Sequence, residues 1–272
     1  EGLEHGQKAI SWINSHIKQI SQITQKTSSH LKLLKIDSAI AGRNLFLRFY
    51  YDTSDAMGMN MATIATQEAA NLIEAKTKAQ LISVAGNFDI DKKAAFLNFI
   101  NGRGRKVWAE VNLKKQIIKD VLKTEADKMA EVVYRKIQIG SAMAGSLGFN
   151  AHYANAVAAI FAATGQDLAH VVEGSLGITT AEVLKNGDLY FSIYLPSLMV
   201  GTVGGGTHLP TQSEALAILG TKGAGSSNKL AEIVGSAILA LEISLIASQA
   251  EGTLAKSHII LARKGAKLQV QK

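Results

Sequence analysis

No cysteine occurs anywhere in the 272 residues. A disulfide framework and a thiolate metal site are therefore both excluded. No metal site is expected, redox chemistry does not constrain the compartment, and a reducing cytoplasm is the default expectation. Aromatic residues are scarce, at 6%, while alanine and glycine are abundant. That composition favours helices packed closely on small side chains over aromatic stacking surfaces. No dense basic run interleaved with aromatics is present, so nucleic acid is a poor partner despite a net charge of +7 and a pI near 9.4. The excess positive charge suits anions in general, phosphorylated cofactors included. Gly102-Arg103-Gly104-Arg105-Lys106 is the densest basic cluster and reads as a solvated turn, as do the tail cations Arg263, Lys264, Lys267 and Lys272. No secretory pattern is visible from Glu1 onward. The most apolar stretch, Ile233 to Ala247, has Glu242 in its middle and is short for a bilayer. It reads as a buried helix, and no membrane contact is expected from this segment, although an anchor upstream of residue 1 is compatible with it.

What is present is a core-forming chain. Hydrophobic residues make up 47%, and the length suits one large or two modest domains. Ile10, Ile13, Ile17 and Ile20 repeat at helical spacing. Two strand-like runs follow, Leu31 to Ile36 and Asn44 to Tyr51, with the turn at Ala41-Gly42 and Leu45, Leu47 and Phe49 sharing one side. Asn60 to Ala75 reads as a helix and Leu81 to Val84 as a short strand. This order lacks one strand of a ferredoxin-like unit, which leaves a sheet position unfilled. Further on, helices are expected over 93–100, 114–123 and 126–139, with strands over 107–113 and 189–195, the last ending at Pro196. Ala151 to Thr164 should be a buried central helix closed by Gly165, and Ser227 to Gln249 a long apolar helix. The fold class is α+β: a ferredoxin-like small domain over 1–84 with its first strand missing, and a helix-rich α+β large domain over 85–272.

Several segments concentrate polar chemistry. Asp91-Lys92-Lys93 closes the loop that begins Gly86-Asn87-Phe88, and on its own it reads as a solvated turn. An ammonium there acts most strongly where water is excluded, and it then needs carboxylates close by to stay charged. Asp167 follows the apolar helix and Gly165. A carboxylate at a helix C-terminus opposes the dipole, which hints at a compensating cation, with Lys92 the candidate. His152 and Asn155 lie three apart on one helix face and fit either a satisfied core pair or a pair of ligand-binding groups. Lys256-Ser257-His258 places an imidazole after the last long helix. Asp55-Ala56-Met57-Gly58-Met59-Asn60 and Gly201-Thr202-Val203-Gly204-Gly205-Gly206-Thr207 are glycine-marked segments where backbone could approach a ligand. They are not the dinucleotide fingerprint, which needs a strand–turn–helix context.

Taken together, the segments at 55–60, 86–93, 150–155, 165–167, 201–207 and 256–258 closely resemble hydroxymethylglutaryl-CoA (HMG-CoA) reductase, from about Ile10 to Lys264. The resemblance implies reduction of HMG-CoA to mevalonate with two NADPH, in the mevalonate route to isoprenoids. Lys92 would stabilise the oxyanion, Asp167 would tune Lys92, and His258 would protonate the departing CoA thiolate. The proton transfer is reasonable for an imidazole near pKa ~6.5 and a thiol near ~8.5. Asp91, Lys93, Asn87, Lys123, Lys136, His152, Asn155 and Ser257 would contact substrate. Ser29, His30, Asp55, Met57, Gly58, Met59, Asn60, Val203, Gly204, Gly205, Gly206 and Thr207 would bind the cofactor. A homodimer or higher homo-oligomer is implied as well.

The sequence also departs from that family. No Glu-Asn-x-Ile-Gly segment, which carries the family's catalytic glutamate, occurs in the 272 residues. The chain is therefore expected to be a C-terminal portion, inactive by itself. A non-catalytic CoA- or nucleotide-binding or interaction fragment is the alternative, and a basic nucleic-acid binder a third reading. Ser29-His30 stands where the family has serine followed by arginine, and imidazole is a weaker phosphate partner than guanidinium. NADPH is expected, with NADH left open. Ala85 replaces a serine beside the acyl pocket, and Lys264 stands at the animal enzymes' phosphoserine position, so that form of control is expected to be absent.

Overall fold

The computed structural model describes residues 2–252. Expectations for Ser257, His258 and Lys264 lie outside the described residues. The chain forms two compact units. The first comprises the residues up to Asp91 with Gly201–Gly204 and Gly223–Gly225, and the second begins at Lys92 and holds the remainder.

The first unit contains α1 (Leu3–Ser15), α2 (Ile17–Gln25), β1 (Lys32–Ala41), β2 (Asn44–Asp52) and α3 (Met59–Lys76). The isoleucine stripe forms two helices rather than one. The break falls at His16, whose ring stacks on Trp12 and whose Nδ1 lies 2.8 Å from the Trp12 carbonyl oxygen. β1 and β2 pair antiparallel around Gly42, which takes the left-handed turn conformation at φ 59°. Ile13, Ile20, Leu33, Ala69 and Ile73 form the core, with Leu47 and Phe49 packed on it. Leu81–Val84 is not a strand. The sheet contains only β1 and β2 among the described residues, and a four-residue segment without a neighbour has nothing to satisfy its ladder groups. Ile82 is 85% exposed. Two strands do not establish a ferredoxin-like layout; the α+β class holds.

The second unit runs α4 (Phe96–Asn101), β3 (Arg105–Leu113), α5 (Lys115–Asp120), α6 (Ala126–Val132), a π-helical stretch (Val133–Gly140), α7 (Ser141–Met143), β4 (Gly148–Phe149) and α8 (Tyr153–Thr164). It continues with a 3-10 turn (Leu168–His170), α9 (Val171–Gly174), β5 (Gly177–Val183), β6 (Leu189–Leu198), a second 3-10 turn (Gly205–His208), α10 (Pro210–Ile218) and α11 (Ser227–Ala250). The sheet order is β3-β6-β5-β4, antiparallel except for β4 with β5. Leu189, Phe191, Ile193 and Leu195 alternate inward along β6. The strand does not stop at Pro196. The β3–β6 register shifts between Arg105 and Val107, opposite Pro196, and a bulge is where a strand tolerates a residue with no N–H.

α11 packs on β3 through Gly235, where a Cβ would lie 2.5 Å from Val107 Cγ1. It is long and apolar enough to cross a bilayer by length and composition, yet half of its apolar window is buried within the protein. α8 is buried on one face only: Tyr153, Ala156, Val157, Phe161 and Thr164 point inward, whereas Ala154, Asn155, Ala159, Ala162 and Ala163 are exposed.

Candidate active site

Lys92 opens the second unit with a left-handed backbone, φ 56°. Its Nζ lies 3.0 Å from Asp167 Oδ2, and both side chains are partly exposed. Asp167 is more than the end of α8. Its Oδ1 accepts the Ala169 N–H at 3.0 Å, so it caps the next helical turn, where a carboxylate is favoured. Partial burial raises the Asp167 pKa, but hydrogen bonds from Lys92 and Ala169 and the charges of His170 and Lys92 outweigh it. The carboxyl is held below its ordinary value.

Behind this pair stand groups that the sequence reading missed. Glu173 is fully buried, and its Oε1 accepts the Lys92 backbone N–H at 3.0 Å and Arg103 at 2.7 Å, with His170 Nδ1 2.9 Å away. His170 Nε2 lies 3.7 Å from Asp167 Oδ2. The basic cluster is thus not a solvated turn. Arg103 reaches inward between Gly102 and Gly104, where added Cβ atoms would lie 2.6 Å from the Pro196 carbonyl oxygen and 2.5 Å from that of Leu198. Arg105 donates to Ser227 Oγ. The signal for this network is legible in retrospect, because Asp167, His170 and Glu173 repeat every third residue along successive helical turns.

Ala94, two residues beyond Lys92, lines a cleft of about 670 Å³ together with Asn150, His152, Asn155, Val172 and Ser175. His152 is the N-cap of α8 and Asn155 lies in its first turn, so the pair shares the cleft. His152 Nδ1 sits 2.9 Å from Glu242 Oε1, which also accepts the His152 N–H at 2.7 Å. Glu242 Oε2 accepts the Ala151 N–H at 2.9 Å and the Thr179 hydroxyl at 2.8 Å. Glu242, the buried acid of α11, therefore secures the start of α8. Burial and the nearby Glu242 charge push the Tyr153 phenol far up.

Lys136 lies on the π-helical stretch and donates to Gln249 Oε1 at 2.8 Å. Desolvation lowers its pKa, with Glu242 pulling the other way. Lys123 sits in an exposed turn at φ 58°. The Lys93 carbonyl accepts from Asn98 Nδ2 at 2.8 Å. Asn87, also left-handed at φ 58°, and Asp91, whose N–H meets Asp89 Oδ1 at 3.0 Å, belong to the first unit.

The first unit brings the 55–60 segment together with Gly201–Gly204. Ala56 bridges Val203 in parallel, the Thr202 N–H donates to the Asp55 carbonyl at 2.8 Å, and Asp55 Oδ2 accepts the Gly225 N–H at 2.8 Å. A Cβ on Gly201 would lie 2.4 Å from Met57 N. Gly58, at φ 91°, is the N-cap of α3, and no side chain caps that end. Met59 and Asn60 therefore begin a helix at the end whose dipole favours an anion. Ser28 Oγ reaches Met61 Sδ at 3.4 Å, which sets the exposed Ser29-His30 turn beside the same helix start. These features fit a phosphorylated cofactor. In the second unit, Gly206 and Thr207 press on Gly165, where a Cβ would lie 2.4 Å from the Gly206 carbonyl oxygen.

The fold and the site define an α+β protein with an ammonium–carboxylate pair two residues along the chain from a cleft of mixed lining. Solved structures share this fold. The class II 3-hydroxy-3-methylglutaryl-CoA reductase from Streptococcus pneumoniae, bound to NADPH in open conformations, matches 90% of this chain and 67% of its own, with a TM-score of 0.67 and 19% identity. The family model described as hydroxymethylglutaryl-coenzyme A reductase matches residues 1–263, and the chain belongs to that family. It is 50% identical over 262 residues to the 3-hydroxy-3-methylglutaryl-coenzyme A reductase of Methanocaldococcus jannaschii, covering 94% of this chain and 64% of that protein. With the Fusarium fujikuroi protein of the same name it is 44% identical over 271 residues, 28% of that protein's length. The chain thus spans 64% of the length of its archaeal relative.

Proposed function

We propose that this chain serves the reduction of HMG-CoA to mevalonate. The observation that carries the reading is the Lys92–Asp167 ion pair at 3.0 Å, in a member of this family, two residues from a cleft large enough for an acyl group. NADPH supplies the two hydrides. The Lys92 ammonium would offset the negative charge that grows on the thioester carbonyl oxygen during reduction. Asp167 keeps that ammonium charged. Collapse of the hemithioacetal would release CoA as a thiolate for His258 to protonate, and reduction of mevaldehyde would leave an alkoxide that takes its proton from the carboxyl of the supplied glutamate segment to give mevalonate. His152 and Asn155 hydrogen-bond the acyl group. Asp91, Lys93, Asn87 and Ser257 complete its surroundings, Lys136 pairs with the substrate carboxylate, and Lys123 contacts CoA.

The cofactor phosphates are assigned to the α3 N-terminus and the Ser29-His30 turn, with Asp55, Met57, Gly58 and the 203–207 segment around them. NADPH is favoured over NADH. The active form is read as a cytoplasmic homodimer or higher homo-oligomer. The 272 residues contain no Glu-Asn-x-Ile-Gly segment, so turnover is assigned to this chain acting with a segment that carries it.

The test follows NADPH oxidation on addition of HMG-CoA, by these residues alone and with such a segment supplied. Two NADPH consumed per CoA released, only in the supplemented sample, is the expected result. Turnover by the 272 residues alone would remove the glutamate requirement. CoA binding without turnover in either sample would favour the non-catalytic reading.

A further inference from the structure

We infer that Glu173 is a positioning residue for Lys92, acting through the Lys92 backbone and, by way of His170, through Asp167. The inference rests on the reading of Lys92 as the site's working cation. Its physical basis is that one buried oxygen collects three donors. Glu173 Oε1 meets the Lys92 N–H at 3.0 Å, Arg103 at 2.7 Å and His170 Nδ1 at 2.9 Å. Its other oxygen, Oε2, is buried with no hydrogen-bond partner among the described residues.

A buried carboxylate is costly unless paired, and here its partners are not generic. One is the backbone of the residue that carries the ammonium. Lys92 holds a left-handed φ of 56°, a conformation that a residue with a Cβ keeps only where its surroundings impose it. A charge-assisted hydrogen bond to its N–H supplies that constraint. The second partner is His170, itself fully buried, with its far nitrogen 3.7 Å from the Asp167 oxygen that pairs with Lys92. Glu173 therefore fixes where the Lys92 side chain starts and steadies the carboxylate that receives its end. Arg103 is the counter-charge that makes burial of Glu173 tolerable. Its inward path is set by the two glycines that flank it, which explains a basic cluster that the proposed reaction leaves without a role.

The test is competitive acetylation of the intact protein with acetic anhydride, across neutral to alkaline pH. Lysine reactivity is read residue by residue by mass spectrometry, with unfolding midpoints measured in parallel. Lys114, ion-paired to Asp188, is the internal reference. Glu173→Gln should raise Lys92 acetylation at neutral pH relative to Lys114 by roughly threefold or more, as removal of a nearby negative charge favours the neutral amine. His170→Gln, a milder change that preserves the buried volume, should shrink the increase caused by Asp167→Asn, since the two act on one oxygen. If Glu173→Gln or His170→Gln lowers the unfolding midpoint while the Lys92-to-Lys114 ratio and the Asp167→Asn increment stay as in the parent, the residues are merely structural and the inference fails. The readout needs no substrate. A protein that shows this coupling yet never reduces HMG-CoA would refute the proposed activity and leave the positioning network standing.

Discussion

Glu242→Gln isolates the clearest energetic claim of the second unit. The carboxylate is fully buried on α11 and accepts four donors: the Ala151 and His152 N–H groups, His152 Nδ1 and the Thr179 hydroxyl, all between 2.7 and 2.9 Å. Glutamine matches the shape but has one oxygen. If its amide nitrogen faces the Oε2 side, Thr179 can turn and accept, but the Ala151 N–H is orphaned. If it faces the Oε1 side, the His152 N–H is orphaned and the imidazole must change tautomer. At least one buried backbone donor is lost either way, at about 1–3 kcal/mol. The remaining bonds lose their charge assistance, which brings the expected cost to about 2–4 kcal/mol. At roughly 2–4 °C per kcal/mol for a chain of this size, the melting temperature should fall by about 5–15 °C. Thermal unfolding followed by circular dichroism measures it, with the exposed Glu232→Gln on the same helix as control. A Glu242→Gln melting temperature within about 1 °C of the parent, in an assay where a lost buried hydrogen bond is visible, would refute the claim that this acid secures α8.

Three further outcomes are expected. Asp167→Asn should cost under about 1 kcal/mol of stability at neutral pH, because the ion pair is partly exposed. The folded-state carboxyl lies below its ordinary value of 3.8, so its contribution is present above that value and disappears as pH falls through the lower folded one. Acid titrations of parent and variant should converge only below about pH 4, and a gap that closes near neutrality would contradict the assignment. Gly165→Ala combines φ 71° with a Cβ 2.4 Å from the Gly206 carbonyl oxygen, and should destabilise by about 2 kcal/mol or more, read as the urea midpoint. A neutral result would show that the 205–207 turn yields freely. His30→Arg should tighten NADPH about fivefold relative to NADH, as a guanidinium fork replaces an imidazole at phosphate. Equal effects on both cofactors, measured by fluorescence titration, would move the phosphate elsewhere.

The strongly periodic parts of the fold were legible from the chain. The β1–β2 hairpin, α3, β3 and α11 follow from apolar spacing with glycine punctuation. The departures have local causes. His16 splits the first helix through a side-chain bond to its own backbone. Pro196 does not end β6, because it sits where β6 itself carries an extra residue against β3, and a bulge depends on two strands at once. β5, which lies between β6 and the two-residue β4, has a mixed burial pattern and was not foreseen. Leu81–Val84 has strand composition without a strand to join. At the site, pairing of Lys92 with Asp167 could be argued from the dipole penalty alone, although the penalty is answered partly by the turn that Asp167 caps. Glu173 and Glu242 escaped because a buried acid is recognised by its donors, and these, backbone amides and side chains alike, come mostly from segments distant in sequence.

One acid has a second consequence. α11 is 24 residues long, and Lys229, Glu232 and Glu242 are its only charged side chains, so a nascent chain presents the insertion machinery with something close to a membrane anchor. A carboxylate near the middle of such a segment adds about 2.5–3.5 kcal/mol against partition into lipid. The same atom that organises the neighbouring helix after folding thus weighs against mistargeting before it, and an apolar replacement at 242 would remove both safeguards together.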